Sequence, residues 1–509
     1  MTQAAATRQP LAAILTPATA GRAVRVVALR ELADQLTSLR FLIVAVLALG
    51  LTPLAVYVGV RDYQSRLAEH DRLAAEVQKL STGSEGKHVR GLASSWSGEA
   101  LHVLRALRPP EALSVLVRGL DGGQPEYWDF SPTGIEVGPP ASRPQRLVDV
   151  FGQLDFEFLL RVVLGLLAIL LAFDAVAGEK ELGTLRAVLS QPISRAAFLA
   201  GKLLGGVMTL WFCLAVAFLI ALFASQSLGI DLLSSDILTR AALIAVTSAA
   251  YLTCFYALGL LVSSVTSSQK TSLVVLLVVW VLAVLAVPPL ATLIAQAASP
   301  VPPAQAVEFR KQRLDEGLSQ EADQAMGSIY REVTGLPMGW FDDSKFDSHK
   351  EEMNRRIAPI VVGYLARRRQ ATEELDRDFE QRVARQNQLA HWIMNSSPAA
   401  GFASATADLA GTGDATGAAW RDAVRQQQSR LDSTLFDDPP TVVIQNGGSM
   451  GWVDRRTPPS VNELPAFVPP RRDASAALAR ALPALGLLIG YTGVFIVASF
   501  VAFARYDVR

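Results

Sequence analysis

Hydrophobic residues in this chain gather into six long runs, at 41–60, 157–177, 203–225, 241–263, 272–297 and 478–503. A bilayer core about 30 Å thick is crossed by about 20 apolar residues in a helix. Unbroken runs of that length exclude the shorter, one-sided helices of soluble cores. The pattern predicts an all-α polytopic membrane protein with six transmembrane helices. Pro53 interrupts the first run and Pro288–Pro289 the fifth. Membranes tolerate such breaks where neighbouring groups re-satisfy the freed backbone.

The polar stretches between the runs have patterns of their own. Residues 1–40 lead into the first span, and 22–40 read as an amphipathic helix. Val26, Leu29, Ala33, Leu36 and Leu39 recur at helical spacing, with Arg22, Arg25, Arg30, Glu31 and Asp34 mostly elsewhere. A basic amphipathic helix beside a span lies in the bilayer interface. It serves either as a plain topology anchor or as a working elbow.

Residues 178–202 separate the second and third spans. Leu182, Leu185, Val188 and Leu189 share one helical face, and Lys180, Glu181 and Arg186 fall largely off it. Gly183 permits a tight turn, Thr184 is placed to cap a short helix, and Pro192 stops it. Ser194 is placed to cap the helix of the third span. A short helix with an apolar face between two spans is either an interfacial elbow or a docking surface for a partner. Glu179 and Asp174 stand where the second span leaves the lipid, and a carboxylate there needs water or a partner.

The connections 61–156 and 298–477 are long. The first opens as a polar continuation of the first span to Leu80, and LSVLVRGLDGG at Leu113 reads as a strand and turn. In the second, Val307, Leu314, Leu318, Ala322, Met326, Ile329 and Val333 form one apolar stripe. Leu365, Thr372, Leu375, Phe379, Val383 and Ala390 form another. Two such stripes predict a helical hairpin with a solvated charged face. Residues 410–475 read as loop with one strand at Thr441. The expected fold is thus a membrane bundle with a largely helical α(+β) extracytoplasmic domain.

Charge sets the orientation. Lys and Arg near span ends favour the cytoplasmic side. With the N-terminus inside, that side holds Arg22, Arg25, Arg30, Arg40, Lys180, Arg186, Arg195, Lys202, Lys270, Arg505 and Arg509. The short loop 226–240 opposite has only Arg240. Both termini are therefore expected in the cytoplasm, with 504–509 as a tail and the long connections outside. The 47 basic and 47 acidic residues cancel, so nothing draws the chain to nucleic acid. Leu11–Leu15 is too short for the apolar core of a secretory signal, so none is expected.

Little else in the chain promises chemistry. Cys213 and Cys254 lie inside apolar runs, against a disulfide framework. His70, His88, His102, His349 and His391 lack metal-ligand spacing, so no metal site is expected. Gly447–Gly451 matches G-x-S-x-G, but a helix cannot follow in WVDRRTPPS and no histidine comes later, so a turn is expected. The string GEKELGT at Gly178 lacks the G-K-[ST] ending of a phosphate loop, so no catalytic or cofactor-binding residue is expected in this chain. At the outer end of the second span Asp155, Glu157 and Arg161 stand together. Glu157 and Arg161 are placed to pair as an interfacial salt pair or as a gate contact.

The order E-K-E-L-G-T-L-R, L-S-x-P-I-S-R and F-L-x-G-K resembles permeases of the type-2 ABC exporter class, most of all the branch linked to multi-copper enzyme maturation and gliding-type systems. The carry-over falls on Glu179, Glu181, Gly183, Thr184, Leu185, Ser190, Pro192, Arg195, Gly201 and Lys202. The resemblance covers the membrane part, and the two large outer connections are similar to those of one subfamily. It implies a coupling helix seated in a groove of a separate ATP-binding subunit, which would hold ATP and Mg. It implies a permease exporting a substrate across a bacterial inner membrane. A second permease copy, identical or not, would complete the path, with Gly165, Gly205, Gly206 and Gly259 allowing close approach. Low intramembrane charge suits an amphipathic, lipid-like or peptide cargo better than a small ion. The rival is an ATP-driven mechanotransmitter, a membrane-anchored protein that engages a periplasmic partner without a cargo path.

Overall fold

The computed structural model describes residues 17–83, 101–131, 134–140, 155–191, 193–335, 343–435, 441–445, 449–453, 465–471 and 473–506. Helix α1 (Pro17–Leu36) precedes α2 (Leu39–Gly83), an apolar span that continues as a polar rod. Strands β1 (Leu101–Leu107), β2 (Tyr127–Ser131) and β3 (Gly134–Val137) form an antiparallel sheet in that order. The second span is α3 (Phe156–Glu181), with a π-helical turn at Leu159–Leu164. The short α4 (Thr184–Leu189) links it to α5 (Arg195–Ser227), α6 (Ser235–Val265) and α7 (Gln269–Ala298). Outside the bundle come α8 (Ala304–Thr334), α9 (Asp343–Met394), α10 (Pro398–Ala410) and α11 (Asp414–Leu435), then the hairpin β4 (Thr441–Gln445) and β5 (Ser449–Val453). Helix α12 (Ala474–Arg505) closes the chain's described part. Among the described residues, six helices are long and apolar enough to cross a membrane: α2, α3, α5, α6, α7 and α12.

Glycines let the spans approach, but within one chain. A Cβ on Gly206 would come 1.9 Å from the Tyr256 ring, and one on Gly259 would come 2.4 Å from Ala172. Gly205 lies against Ala28 O and Glu31 of α1, and Gly165 beneath the Tyr251 hydroxyl. All four glycines are therefore used up by intrachain packing, which corrects the expectation that they serve a second copy. Pro288 and Pro289 are accommodated by a π-helical turn at Val281–Ala286 just before them, since a proline ring frees carbonyls of the preceding turn.

The two ends of the bundle differ. One gathers α1, α4, the α6–α7 junction and the end of α12. There Arg195 donates to Ala504 O and Tyr506 O, both at 2.9 Å. The other end carries both insertions. There Gln64 donates to Leu228 O, Asp236 accepts from Ala474 N, and Arg240 donates to Leu409 O.

The hairpin expected from two stripes is present as α8 and α9. Its core is Ala322, Met326 and Tyr330 against Met353, Ile357 and Val361. The second stripe thus begins earlier than the periodicity from Leu365 indicated. Three readings are corrected. The stretch at Leu113 is not a strand but two short 3-10 turns, Ala112–Val115 and Asp121–Gly123; Val115 and the following Leu116 are buried beside α2 and α3. Residues 410–475 hold the helix α11, whose Trp420, Val424 and Leu431 face the β1–β3 sheet; Gly417 in its first turn had masked the pattern. The serine of G-x-S-x-G begins β5 and pairs with Gln445 of β4, so Ser449–Gly451 are strand, while Gly447 and Gly448 lie outside the described residues.

Helix α10 was not foreseen. Its 13 residues are too few to span a bilayer. It begins deep in the bundle, where Ser397 donates to Ala283 O and Phe402 stacks on Tyr251 at 4.4 Å. It ends at the insertion-bearing end, where Arg240 donates to Leu409 O at 2.9 Å. It packs against α6 and α12 with a surface rich in alanine.

Candidate functional site

The segment after the second span ties the ends of several spans together. Glu179, Lys180 and Glu181 each bond a different one. Glu179 accepts from Lys202 of α5 at 2.8 Å. Lys180 donates to Ser264 O and, at 3.0 Å, Thr266 O, at the end of α6. Those carbonyls lack intrahelical partners, so a cation there is favoured by the helix dipole as well. Glu181 accepts from Gln269 N, the first residue of α7, at 2.8 Å. That carboxylate sits at a helix N-terminus, where free N–H groups favour an anion. The E-K-E string is legible in the sequence; the partners of its three side chains are not.

Lys202 also holds Glu31 of α1, at 2.9 Å. The three side chains are nearly buried, at 11%, 11% and 22% exposure for Lys202, Glu31 and Glu179. Gln35 extends the cluster, donating to Glu31 at 2.7 Å and to the Tyr256 hydroxyl at 3.2 Å. The buried face of α1 is therefore partly polar. Its apolar stripe of Val26, Leu29 and Leu36 is exposed and free to meet lipid, as is Leu39 at the start of α2. Arg40 adds a bond to Asp174 at 2.7 Å and lies over the Phe173 ring.

Gly183 has φ 72°, a left-handed turn that a side chain would strain, and it stands at the N-cap of α4. Thr184 does not cap the helix; its hydroxyl donates to Glu179 O instead, at 3.4 Å. Ser194 does cap α5, accepting from Ala197 N. Pro192 lies outside the described residues.

The apolar face of α4 turns inward. Leu185 is 2% exposed, packed with Val176, Phe198, Leu199, Leu260 and Phe503, and Val188 and Leu189 lean on the same cluster. This corrects the expectation that these leucines and Val188 are offered outward: the span ends carry enough apolar surface to bury them. What α4 and its flanks expose is Glu181, Leu182, Gly183, Thr184, Arg186, Ala187, Ser190 and Gln191. Leu182 is the one member of the proposed face that is open, at 73%.

At the other end Glu157 and Arg161 pair at 3.3 Å. Asp155 caps α3, accepting from Phe158 N at 2.7 Å. The Tyr251 hydroxyl donates to Arg161 O inside the π-helical turn.

The family described as ABC-2 family transporter protein matches residues 25–508, a region that includes both insertions as well as the spans. No match is found among curated proteins.

Proposed function

This chain belongs to the ABC-2 transporter family, and from that premise we propose that it exports an amphipathic substrate, driven by ATP hydrolysed in a separate subunit docked at α4. The coarser statement needs no proposal: the chain is a multi-pass permease component of an ABC transporter, and the family works with an ATP-binding subunit. The observation that carries the docking reading is the three-way bonding of Glu179, Lys180 and Glu181. A partner pressing on α4 would push on α5, α6 and α7 together, because each is bonded to the segment that holds α4. Phe198 and Phe503, stacked at 5.7 Å beneath Leu185, extend the same push to α12.

In this reading the α4 end faces the cytoplasm of a bacterial cell, as the Lys and Arg asymmetry favours, and both insertions are periplasmic. ATP and Mg are held by the partner. A second permease copy completes the path; the apolar windows of α7 and α12 are each only 17% buried within one chain.

The test uses exposed positions. The double variant Leu182→Asp, Ala187→Asp should insert and fold as the parent does, yet fail to co-purify with the ATP-binding subunit, because docking would bury both new carboxylates. A variant that keeps the partner and its full ATPase activity refutes docking at α4.

A second reading has its own support. Arg118 bonds Asp62 of α2, Asp62 bonds Arg66, and Arg66 and Arg108 share Asp121. This buried ladder fastens the first insertion to the first span, which suits a mechanotransmitter whose outer part is the working end.

A further inference from the structure

The connection from α9 into α10 reaches the middle of the membrane. Ser397 donates to the carbonyl of Ala283, which stands midway along the 30-residue α7. Asn395 O accepts from Tyr491, midway along the 32-residue α12. Phe402, one turn further on, stacks on Tyr251, midway along the 31-residue α6. Three independent helices thus place Asn395–Phe402 near the same central level. Upstream, Gln386 donates to Ser299 O, just past the end of α7. The last turns of α9, from Gln386 to Met394, therefore descend from the surface to that level, a drop of about 13 Å at 1.5 Å per residue.

What those turns expose is polar. Asn387, Gln388 and His391 are exposed, Trp392 is 71% exposed, and Ser396 is exposed in the non-helical turn itself. Hydrocarbon does not tolerate such a surface. Irregular backbone at membrane depth survives only buried in protein or facing a water-filled cavity, and an amide or imidazole without a partner is costly in lipid. Ser397 satisfies the first condition, being buried; Ser396 does not. On α7 at the same depth the exposed side chains are Val281, Leu282 and Leu285, a surface that suits lipid.

We infer that a water-filled vestibule runs from the insertion-bearing end to the bilayer midplane, walled by the exposed face of α9 from Asn387 to Ser396 and floored by the turn into α10. It rests on the export reading only for its use, as the outer half of a cargo path; its existence rests on depth and polarity alone. The wall carries no acidic group between Asn387 and Ser396. It mixes hydrogen-bonding groups with one indole, a surface that both water and the polar part of an amphipathic molecule can wet.

The experiment measures thiol reactivity in the full chain reconstituted in lipid nanodiscs, where both faces meet the reagent and orientation does not matter. Single variants Ser396→Cys, Gln388→Cys, Leu282→Cys and Gln320→Cys are treated with a charged, water-soluble maleimide. The parent, whose Cys213 and Cys254 are buried, sets the background. Ser396→Cys and Gln388→Cys should react within about ten-fold of Gln320→Cys on the exposed hairpin, and Leu282→Cys at least about a hundred-fold more slowly, because only a hydrated thiol ionises to the reactive thiolate. A Ser396→Cys rate within about ten-fold of Leu282→Cys places this turn in lipid or a dry contact and overturns the vestibule. The result is independent of the ATP-binding subunit, so it stands or falls separately from docking at α4.

Discussion

Asp408 shows how a single group at the mouth of the bundle ties stability to pH. It lies at the end of α10, 8% exposed, facing Arg480, Asp414 and His391. Burial raises its pKa from 3.8 to about 6, with Arg480 opposing and Asp414 assisting. The folded state therefore favours the protonated acid more than the unfolded chain does. That contribution is complete below pH 3.8 and is lost as pH rises through about 6. Asp408→Asn, which cannot ionise, should melt with the parent near pH 4 and above it near pH 8. Melting curves across that range in detergent check this; equal midpoints at pH 8 would mean the carboxylate is not desolvated. The same scale shows what a sequence conceals. Glu179, Lys180 and Glu181 were recognisable as a motif, and Glu157 with Arg161 as a pair by spacing alone. Which carbonyl or N–H each would meet was not, because Ser264, Thr266 and Gln269 are more than 80 residues away in the chain. The direction of Leu185 was hidden for the same reason: an apolar face reads alike whether it meets a partner or its own spans.

Among elements, the legible ones were those long enough to bury one face by themselves. The spans and the α8–α9 hairpin have periodic patterns many turns long, and their presence followed directly. Helix α10 has 13 residues, nearly all small or apolar, a composition without a polar face to betray a helix. Its position depends on the surfaces of α6 and α12 that it packs against. Close packing of this kind makes a prediction about α5 and α6. Gly206→Ala would drive a Cβ to 1.9 Å from the Tyr256 ring, itself bonded to Gln35 and to Lys202 O. The ring has no free direction, so overpacking should cost about 1–3 kcal/mol. Gly183→Ala meets open space and only its left-handed backbone, at φ 72°, for about 1–2 kcal/mol. The two should separate by function: Gly206→Ala should lower the melting midpoint and loosen α1, read as faster proteolysis around residues 17–36. Gly183→Ala should keep α1 protected and weaken retention of the ATP-binding subunit. Protection of α1 in both variants would show that Tyr256 does not brace that helix.

At the scale of the whole molecule the bundle has two polar ends joined by apolar spans, and they are built differently. The α4 end is a hub in which three neighbouring residues each bond a separate span. The insertion-bearing end is a weld: the two insertions hold each other through Thr412, which donates to Val117 O and accepts from Leu120 N on its own carbonyl, and through Trp128 stacked on Trp420 at 5.8 Å. Asp121 ties the first insertion to the rod of α2 at the same end, 2% exposed and shared by Arg66 and Arg108. Asp121→Ala would leave two buried guanidinium groups facing each other without their shared anion, and losing one partner of a buried ion pair costs about 3–5 kcal/mol. Asp121 touches none of the groups at the α4 end. The variant should therefore melt several degrees lower and expose residues 101–131 to protease, yet hold the ATP-binding subunit as the parent does. Co-purification from membranes, beside proteolysis of the same sample, measures both ends at once. If Asp121→Ala also sheds the partner, the spans do not insulate the two ends, and force applied at either one is shared by the whole bundle.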